Sequence, residues 1–240
     1  RGREAAALRR LGQQEREKCR LWIGDRPLLR TAHLLQREWS VSECDWLLAE
    51  VGEAASLHGW QGKRHKHYAT EDIPLWRLGA KAAAWVRERV STTIFPAMSA
   101  AFGMASTDLR LQECFVVRYE PTGQSSLSMH RDETLLSFNI ALNDGYDGGG
   151  TCFAQPAALH VWEGGSKSLT NGESTRREER EASVVRSDRG DCLVHCGQLL
   201  HGGATVTGGT RMILVGFVSE VVRSGEAEAM RAEAMAVAGV

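Results

Sequence analysis

The chain has 240 residues, 25% of them charged, and a formal net charge of -1 at pH 7. That length can bury one sizeable core, and no stretch approaches the roughly 20 apolar residues of a membrane span. The balanced charge lacks the basic excess with which nucleic acid is normally met, so the expectation is a soluble single catalytic domain with no membrane partner and with nucleic acid disfavoured.

In chain order, residues 3–22 are rich in Ala, Leu, Gln, Glu and Arg and predict an exposed helix with a thin apolar stripe. Ser42 with Glu43 and Asp45 signals a helix start ahead of Trp46, Leu47, Leu48, Val51 and Ala55, and Gly59 its end. A second helical stretch is expected over about 74–101, with Pro74 in its first turn and Leu78, Ala82, Trp85, Val86 and Val90 along it. Pro96 should kink or divide that stretch, because it lacks an amide hydrogen. After Gly103 the texture changes to short β-rich runs at 109–119, 134–142, 183–187, 191–196, 203–207 and 211–222, punctuated by glycines. Such runs suggest a sandwich or jelly roll.

Residues 156–183 contain Gly164, Gly165, Asn171, Gly172 and a charged run at 176–181, which predicts a long, mobile, polar excursion. The Ala- and Glu-rich end, 225–238, reads as a surface helix. The expected organisation is therefore a helical support region over 1–104, part of the same domain as a β core over 105–222 that carries the insert at about 156–183. A C-terminal surface helix over 223–240 follows. The six cysteines (Cys19, Cys44, Cys114, Cys152, Cys192, Cys196) show no CxxC spacing and read as mostly reduced core residues. The first residue is Arg1 and no charged-then-apolar leader follows, so a targeting signal was removed or never present; the compartment is not legible.

Chemistry concentrates in three places. His130 and Asp132 stand two apart at the entrance to a strand-like run, so on extended backbone both side chains leave one face. His201, at the start of a late strand, can supply a second nitrogen, and two His with one carboxylate leave positions open on non-haem Fe(II). A bare HxD is common by chance, but Arg211 follows His201 by ten residues across 205–210 (TVTGGT), a sequence suited to a tight hairpin. In that hairpin Arg211 would face residues 204–206, roughly 10 to 16 Å along the sheet from His201 at about 3.3 Å per residue. The gap suits a five-carbon diacid, chelating metal at one end and gripped by the guanidinium at the other. Ile213, Val215 and Phe217 would fix Arg211 in an apolar strand, and Tyr119, sharing a face with Phe115 and Val117, either lines the pocket or sits in the core.

The matching text is FVVRYEP (115–121), SLSMHRD (126–132), LSFNIALND (136–144), YDGGGTCF (146–153), RGDCLVHCGQLLHGG (189–203) and GTRMILVGFV (209–218). A further match, HYATEDIPL (67–75), extends it upstream. On these residues the chain resembles the Fe(II)/2-oxoglutarate-dependent dioxygenases, in particular the catalytic domain of procollagen lysyl hydroxylases and related prolyl hydroxylases. The resemblance implies an α+β fold, a double-stranded β-helix (jelly roll) with N-terminal supporting helices. It implies that His130, Asp132 and His201 bind iron, and that Arg211 and Tyr119 hold 2-oxoglutarate. Asn139 alternates with Ser137 and Ala141 toward the presumed pocket, on a strand that similar enzymes use to line the co-substrate site. Gly148, Gly149 and Gly150 permit a turn beside the site. Asp132 also separates the chain from similar halogenases, which carry a small residue there.

The implied activity is hydroxylation with Fe(II), 2-oxoglutarate and O2, ascorbate serving as reductant and succinate and CO2 as products. A peptide or protein side chain is the favoured substrate. A small metabolite or a modified nucleobase, oxidised by the same chemistry, is the alternative, and a non-catalytic metal- or ligand-binding β-helix is the alternative from another class. Three further features are read without a role in that chemistry. His195 should make a core hydrogen bond, His160 should face solvent, and the segment 60–68 (WQGKRHKHY) reads as a solvated loop or, more sharply, as a basic aromatic lip facing substrate.

Overall fold

The computed structural model describes residues 27–220 apart from 63, 66, 67, 133 and 168–175. The helices expected over 3–22 and 225–238 therefore lie outside the described residues. A 3-10 turn at Pro27–Arg30 leads into strand β1 (Thr31–Leu35), which is followed by helix α1 (Val41–His58) and the short strand β2 (Asp72–Pro74). Helix α2 (Ala80–Arg89) runs through a π turn (Val90–Ile94) into α3 (Phe95–Phe102). The remainder is β: β3 (Leu109–Tyr119), β4 (Leu127–His130), β5 (Leu136–Ala141), β6 (Asp147–Gly148), β7 (Thr151–Trp162), β8 (Arg176–Val185), β9 (Cys192–Cys196), β10 (His201–Gly203), β11 (Val206–Gly208) and β12 (Arg211–Glu220).

Local chemistry explains the helix ends. Ser40 caps α1: its side chain accepts from the Glu43 amide while the Glu43 carboxylate accepts from the Ser40 amide, a capping box. The cap is thus two residues ahead of the Ser42 start expected from sequence; several Ser, Glu and Asp crowd this stretch, and only the backbone turn selects among them. Replacing Ser40 by Ala should cost about 1 kcal/mol of stability, and replacing Ser42 only a few tenths. The urea midpoints at unchanged slope measure this; equal losses would remove Ser40 as the cap. Gly59 ends α1 at φ 69°, and Gly103 ends α3 in the left-handed region. Pro74 closes strand β2 and leads into a single 3-10 turn (Leu75–Arg77), and the α-helix begins only at Ala80. Pro96 does divide the helical stretch: it sits in the first turn of α3, directly after the π turn in which the Phe95 amide reaches back to the Val90 carbonyl.

Ten strands form one curled sheet in the order β2-β3-β12-β5-β9-β1-β7-β10-β4, with β8 added on β7; β6 and β11 form a separate pair. Only β1 and β7 run parallel; the other pairings are antiparallel. The region 1–104 is consequently not only helical. β1 lies inside the sheet between β9 and β7, and β2 forms its edge, because buried runs as short as Thr31–Leu35 carry too little periodicity to be recognised as strands. The insert at 156–183 also needs correction. β7 and β8 pair over most of their length, with Ala157, Leu159 and Val161 buried, so the polar excursion is largely a β-hairpin, and its glycines had outweighed a period-two apolar pattern.

Period-two alternation then sorts every central strand between two faces. Leu136, Phe138 and Ile140 of β5, Leu214 and Val218 of β12, and Cys192 and Val194 of β9 point to one side. There they pack with Leu47 and Val51 of α1, Val86 of α2 and Met98 of α3 in the main core. The opposite face carries Ser137 and Asn139, His195, and Arg211, Ile213, Val215 and Phe217, and these line a cavity. The helices cover one side of the sheet and leave the other for chemistry. The five described cysteines (Cys44, Cys114, Cys152, Cys192 and Cys196) are free, four of them buried. No described helix is long and apolar enough to cross a membrane.

Candidate active site

The cavity has a volume of about 850 Å3. Its floor is built from two cross-strand pairs. In the first, His201 of β10 stands directly opposite His130 of β4, so the two rings meet with centroids 4.5 Å apart. Asp132 follows two residues after β4, its amide donating to the Gly197 carbonyl at 2.9 Å and its carbonyl accepting from Gln198 Nε2 at 2.7 Å. Those bonds tie the loop after β4 to the turn after β9 and aim the carboxylate between the imidazoles. Asp132 Oδ1 lies 3.3 Å from His130 Nε2, and Oδ2 lies 3.5 Å from His201 Nε2. One ligand atom from each of the three residues lies within 4.8 Å of the others, and all three residues are buried.

The orientation of both rings is fixed from behind. His130 Nδ1 donates to the Ser128 carbonyl at 2.8 Å, and His201 Nδ1 donates to the Leu199 carbonyl at 2.7 Å. A carbonyl can only accept, so each Nδ1 carries the hydrogen and each Nε2 presents its lone pair to the centre. Ser137, opposite His195 in the β5–β9 register, donates to Asp132 Oδ2. Burial pushes His201 down to about 3, reinforced by neighbouring His195, so this ligand is neutral at pH 7. Burial alone would raise the Asp132 carboxyl, but its close pairing with His130, the imidazoles of His201 and His195 beside it and the Ser137 hydroxyl outweigh it and hold the group at about 2. Two neutral-capable imidazole nitrogens and one ionised carboxylate are the donor set that non-haem Fe(II) takes, so the residues fit such a metal. Gly197 permits the arrangement: a Cβ there would lie 2.5 Å from the Thr134 carbonyl and 3.0 Å from Asp132 Cβ.

In the second cross-strand pair Arg211 of β12 stands opposite Tyr119 of β3, its guanidinium 5.6 Å from the ring centroid. Arg211 is only 2% exposed, no described carboxylate forms an ion pair with it, and its Nε has no hydrogen-bond partner. A buried charge without a counter-charge is costly, and here it faces the same cavity as the triad. Burial pushes the Tyr119 phenol up to about 12, so it remains a donor at neutral pH. Asn139 also lines this wall; its Nδ2 donates to Thr151 Oγ1 at 3.3 Å, and its Oδ1 is buried without a partner.

The hairpin expected between His201 and Arg211 does not form. β10 pairs with β4 and β7, β11 pairs with β6, and β12 pairs with β3 and β5. Arg211 therefore faces Tyr119 instead of residues 204–206, and it reaches the cavity from the other side of the barrel mouth. Gly148, Gly149 and Gly150 all have positive φ; Gly149 lets the chain pass Arg211, since a Cβ there would come within 3.0 Å of Arg211 Cδ.

Other singled-out residues divide. His195 is buried, donates from Nδ1 to the Cys196 carbonyl at 3.0 Å, and packs 4.5 Å from the His201 ring without joining the donor cluster. His160 is not solvent-facing. It lies on β7 at 8% exposure and stacks on His33, its register partner on β1. In the segment 60–68, Lys63, Lys66 and His67 lie outside the described residues, but Arg64 is no solvated cation: its Nε donates to Asp72 Oδ1 at 2.7 Å and its Nη1 pairs with Glu113. Sequence reasoning gave no role to Thr151 in the wall or to Gln198 behind it, and reached His65 only as part of the 60–68 lip. Buried polar residues at alternate strand positions, as at Ser137 and Asn139, are the signal that could have found the Thr151 wall.

The curled mixed sheet with this triad at its mouth is a double-stranded β-helix, or jelly roll. Among solved structures it matches the non-haem α-ketoglutarate-dependent carbocyclase SnoK from nogalamycin biosynthesis (TM-score 0.55, 17% identity, 78% of each chain). It also matches the epimerase SnoN from the same biosynthesis (TM-score 0.54, 17% identity, 90% of this chain and 82% of that one). In sequence, procollagen lysine hydroxylases are its homologues. The human multifunctional procollagen lysine hydroxylase and glycosyltransferase LH3 is 30% identical over 190 residues, covering 73% of this chain and 22% of that protein. The rat procollagen-lysine,2-oxoglutarate 5-dioxygenase 1 is 33% identical over 117 residues, 47% of this chain and 13% of that one. The chain thus spans about a fifth of the length of the curated relatives it matches most extensively. No family model matches it.

Proposed function

We propose that this chain is an Fe(II)- and 2-oxoglutarate-dependent oxygenase that hydroxylates a peptide or protein side chain. The observation that carries the reading is the coexistence, in one cavity, of the His130, Asp132 and His201 donor cluster and the buried guanidinium of Arg211, which has no ion-pair partner among the described residues. A metal site alone would need no cation beside it; a dicarboxylate spanning the two satisfies both. In this assignment His130, Asp132 and His201 hold the iron. Arg211 grips the far carboxylate of 2-oxoglutarate, Tyr119 donates to the same anion, and Asn139 borders it. Bound there, iron and 2-oxoglutarate supply the oxidising equivalents that insert one atom of O2 into a C–H bond, releasing succinate and CO2, with ascorbate keeping the iron reduced.

The protein's share is positioning and exclusion of water. Ser137 and the two backbone carbonyls hold the ligands in register, while Phe115, Val215 and Phe217 make the outer wall apolar. Two things support a peptide over a small metabolite. The relatives are named for lysine in procollagen, and Arg64 and exposed Trp76 border both the cavity and a second hollow lined by Trp60, Gln61 and Gly62, where an extended chain could run on. The reading of 60–68 as a nucleic-acid lip loses Arg64, whose charge is spent on Asp72 and Glu113.

The test is incubation with iron, ascorbate, 2-oxoglutarate and a library of lysine- and proline-containing peptides, with mass spectrometry for a gain of one oxygen. Peptide oxidation with matching succinate release is the expected result. Turnover confined to free amino acids or other metabolites would overturn the peptide assignment, and absence of succinate under every condition would overturn the oxygenase.

A further inference from the structure

One wall of the cavity holds a polar group that the proposed chemistry does not use. His65 lies in the segment ahead of β2 and lines the same cavity as the triad, its ring packed 4.7 Å from Phe115 and 6.4 Å from Phe217. Behind it sits Asp72, which is fully buried and accepts from Thr70 Oγ1 at 2.5 Å and from Arg64 Nε at 2.7 Å. The Arg64 guanidinium turns its Nη2 to His65 Nε2 at 2.9 Å. Asp72 Oδ2 lies farther from Nε2, at 3.5 Å; arginine has donors only, so the shorter contact makes Nε2 the acceptor, and in the neutral ring the hydrogen is then on Nδ1. Burial first, and the Arg64 charge second, lower the ring's affinity for a further proton, consistent with the neutral form. Nδ1 has no hydrogen-bond partner among the described residues.

We infer that His65 is a substrate-binding residue that donates a hydrogen bond from Nδ1 to a neutral carbonyl oxygen of the peptide being oxidised. The inference rests on the proposed oxygenase and adds which group selects its substrate. A donor at the cavity wall without a partner is costly when ligand displaces water from it, and a ligand oxygen satisfies it. The choice of a neutral oxygen follows from the local charge. Among the described residues beside His65, Arg64 is offset by Asp72 and Glu113, so these groups supply no excess positive charge to draw a carboxylate, in contrast to Arg211 on the other wall. The neighbouring Phe115 and Phe217 exclude water from the bond and so strengthen it. An amide carbonyl beside an apolar stem, as in a peptide, has the required chemistry.

The experiment compares wild type, His65→Leu and His65→Asn. Asparagine places an N–H near the position of Nδ1, whereas leucine fills similar space without a donor. Kinetics are measured on the library peptide that wild type oxidises fastest, and 2-oxoglutarate affinity is measured separately on each protein loaded with iron. The expected result is a KM at least tenfold higher for His65→Leu with a smaller change in kcat, recovery to within about threefold of wild type in His65→Asn, and equal 2-oxoglutarate affinity in all three. An unchanged KM in His65→Leu overturns the inference while leaving the oxygenase standing. So does a His65→Asn variant no better than His65→Leu, or a loss of 2-oxoglutarate affinity in His65→Leu, since either marks a merely structural role. A wild type that binds 2-oxoglutarate but oxidises no peptide overturns the peptide assignment and this inference together.

Discussion

Arg211→Met should weaken 2-oxoglutarate binding by about 100-fold or more while leaving the ligand-free protein about as stable as wild type. The two halves of this result come from the same observation. Arg211 is 2% exposed and has no counter-charge among the described residues, so the folded protein bears the cost of a desolvated cation and recovers little of it from the Tyr119 ring at 5.6 Å. An apolar side chain of similar length removes that cost, and such replacements of buried charge are often neutral or stabilising by about 1–4 kcal/mol. Binding responds oppositely. Truncating one partner of a buried, hydrogen-bonded charge pair costs about 2–5 kcal/mol, and a factor of 100 corresponds to about 2.7 kcal/mol. Calorimetric titration of the metal-loaded protein with 2-oxoglutarate, beside urea unfolding without it, separates the two. Unaltered affinity would remove Arg211 from the co-substrate site, and a loss of several kcal/mol of stability would mean that the guanidinium holds the fold instead of waiting for an anion.

A second large effect is expected at Asp132. Its carboxylate stands between His130 Nε2 at 3.3 Å and His201 Nε2 at 3.5 Å, so Asp132→Ala leaves two neutral nitrogens and no charge to offset a divalent cation. Groups that merely orient a metal ligand are worth about 10–100-fold in affinity or activity. Loss of the ligand itself should exceed that, lowering Fe(II) affinity by more than about 100-fold and succinate release with it. The charge-transfer band expected on anaerobic addition of 2-oxoglutarate to the Fe(II) protein should weaken in this variant and in Arg211→Met for different reasons. Excess iron restores part of it in the first, and excess 2-oxoglutarate restores part in the second. Wild-type iron affinity in Asp132→Ala would dismantle the assignment of the triad.

Much of this was visible in the chain before any coordinates. The run 109–119 was expected as a strand and forms one with those bounds, and 191–196 and 211–222 were nearly as well delimited. The first and last of these are long and alternate, alternation being a local property, whereas 191–196 was legible as a short apolar run ending at glycine. The same alternation put Ile213, Val215 and Phe217 on the face of Arg211, and Tyr119 on that of Phe115 and Val117, which is how they lie. β7 and most of β8 went unnoticed because the glycines and charges around them read as a polar excursion, and the other missed strands, β1, β2, β4 and β6, have only two to five residues each. In so short a window a buried strand has no period to display, and β1 is recognisable only by its neighbours β7 and β9.

Pairing partners show the boundary most clearly. Nearness in sequence suggested that His201 and Arg211 share a hairpin, yet they occupy strands that do not pair with each other. Instead, each meets a residue remote in sequence, His130 and Tyr119 respectively. Arg64 and His160 were likewise misjudged, because a charged or polar side chain in a polar stretch looks solvated until its partners, buried Asp72 and half-exposed Glu113 for one and His33 for the other, arrive from elsewhere in the chain. By itself the sequence determined which residue types could do chemistry and toward which face of each strand they point, since a period of two is written in the local backbone. Tertiary structure alone decided which of those faces meet, because hydrogen-bonded register between distant strands is set by burial of the whole sheet against its helices and by no pair of neighbours along the chain.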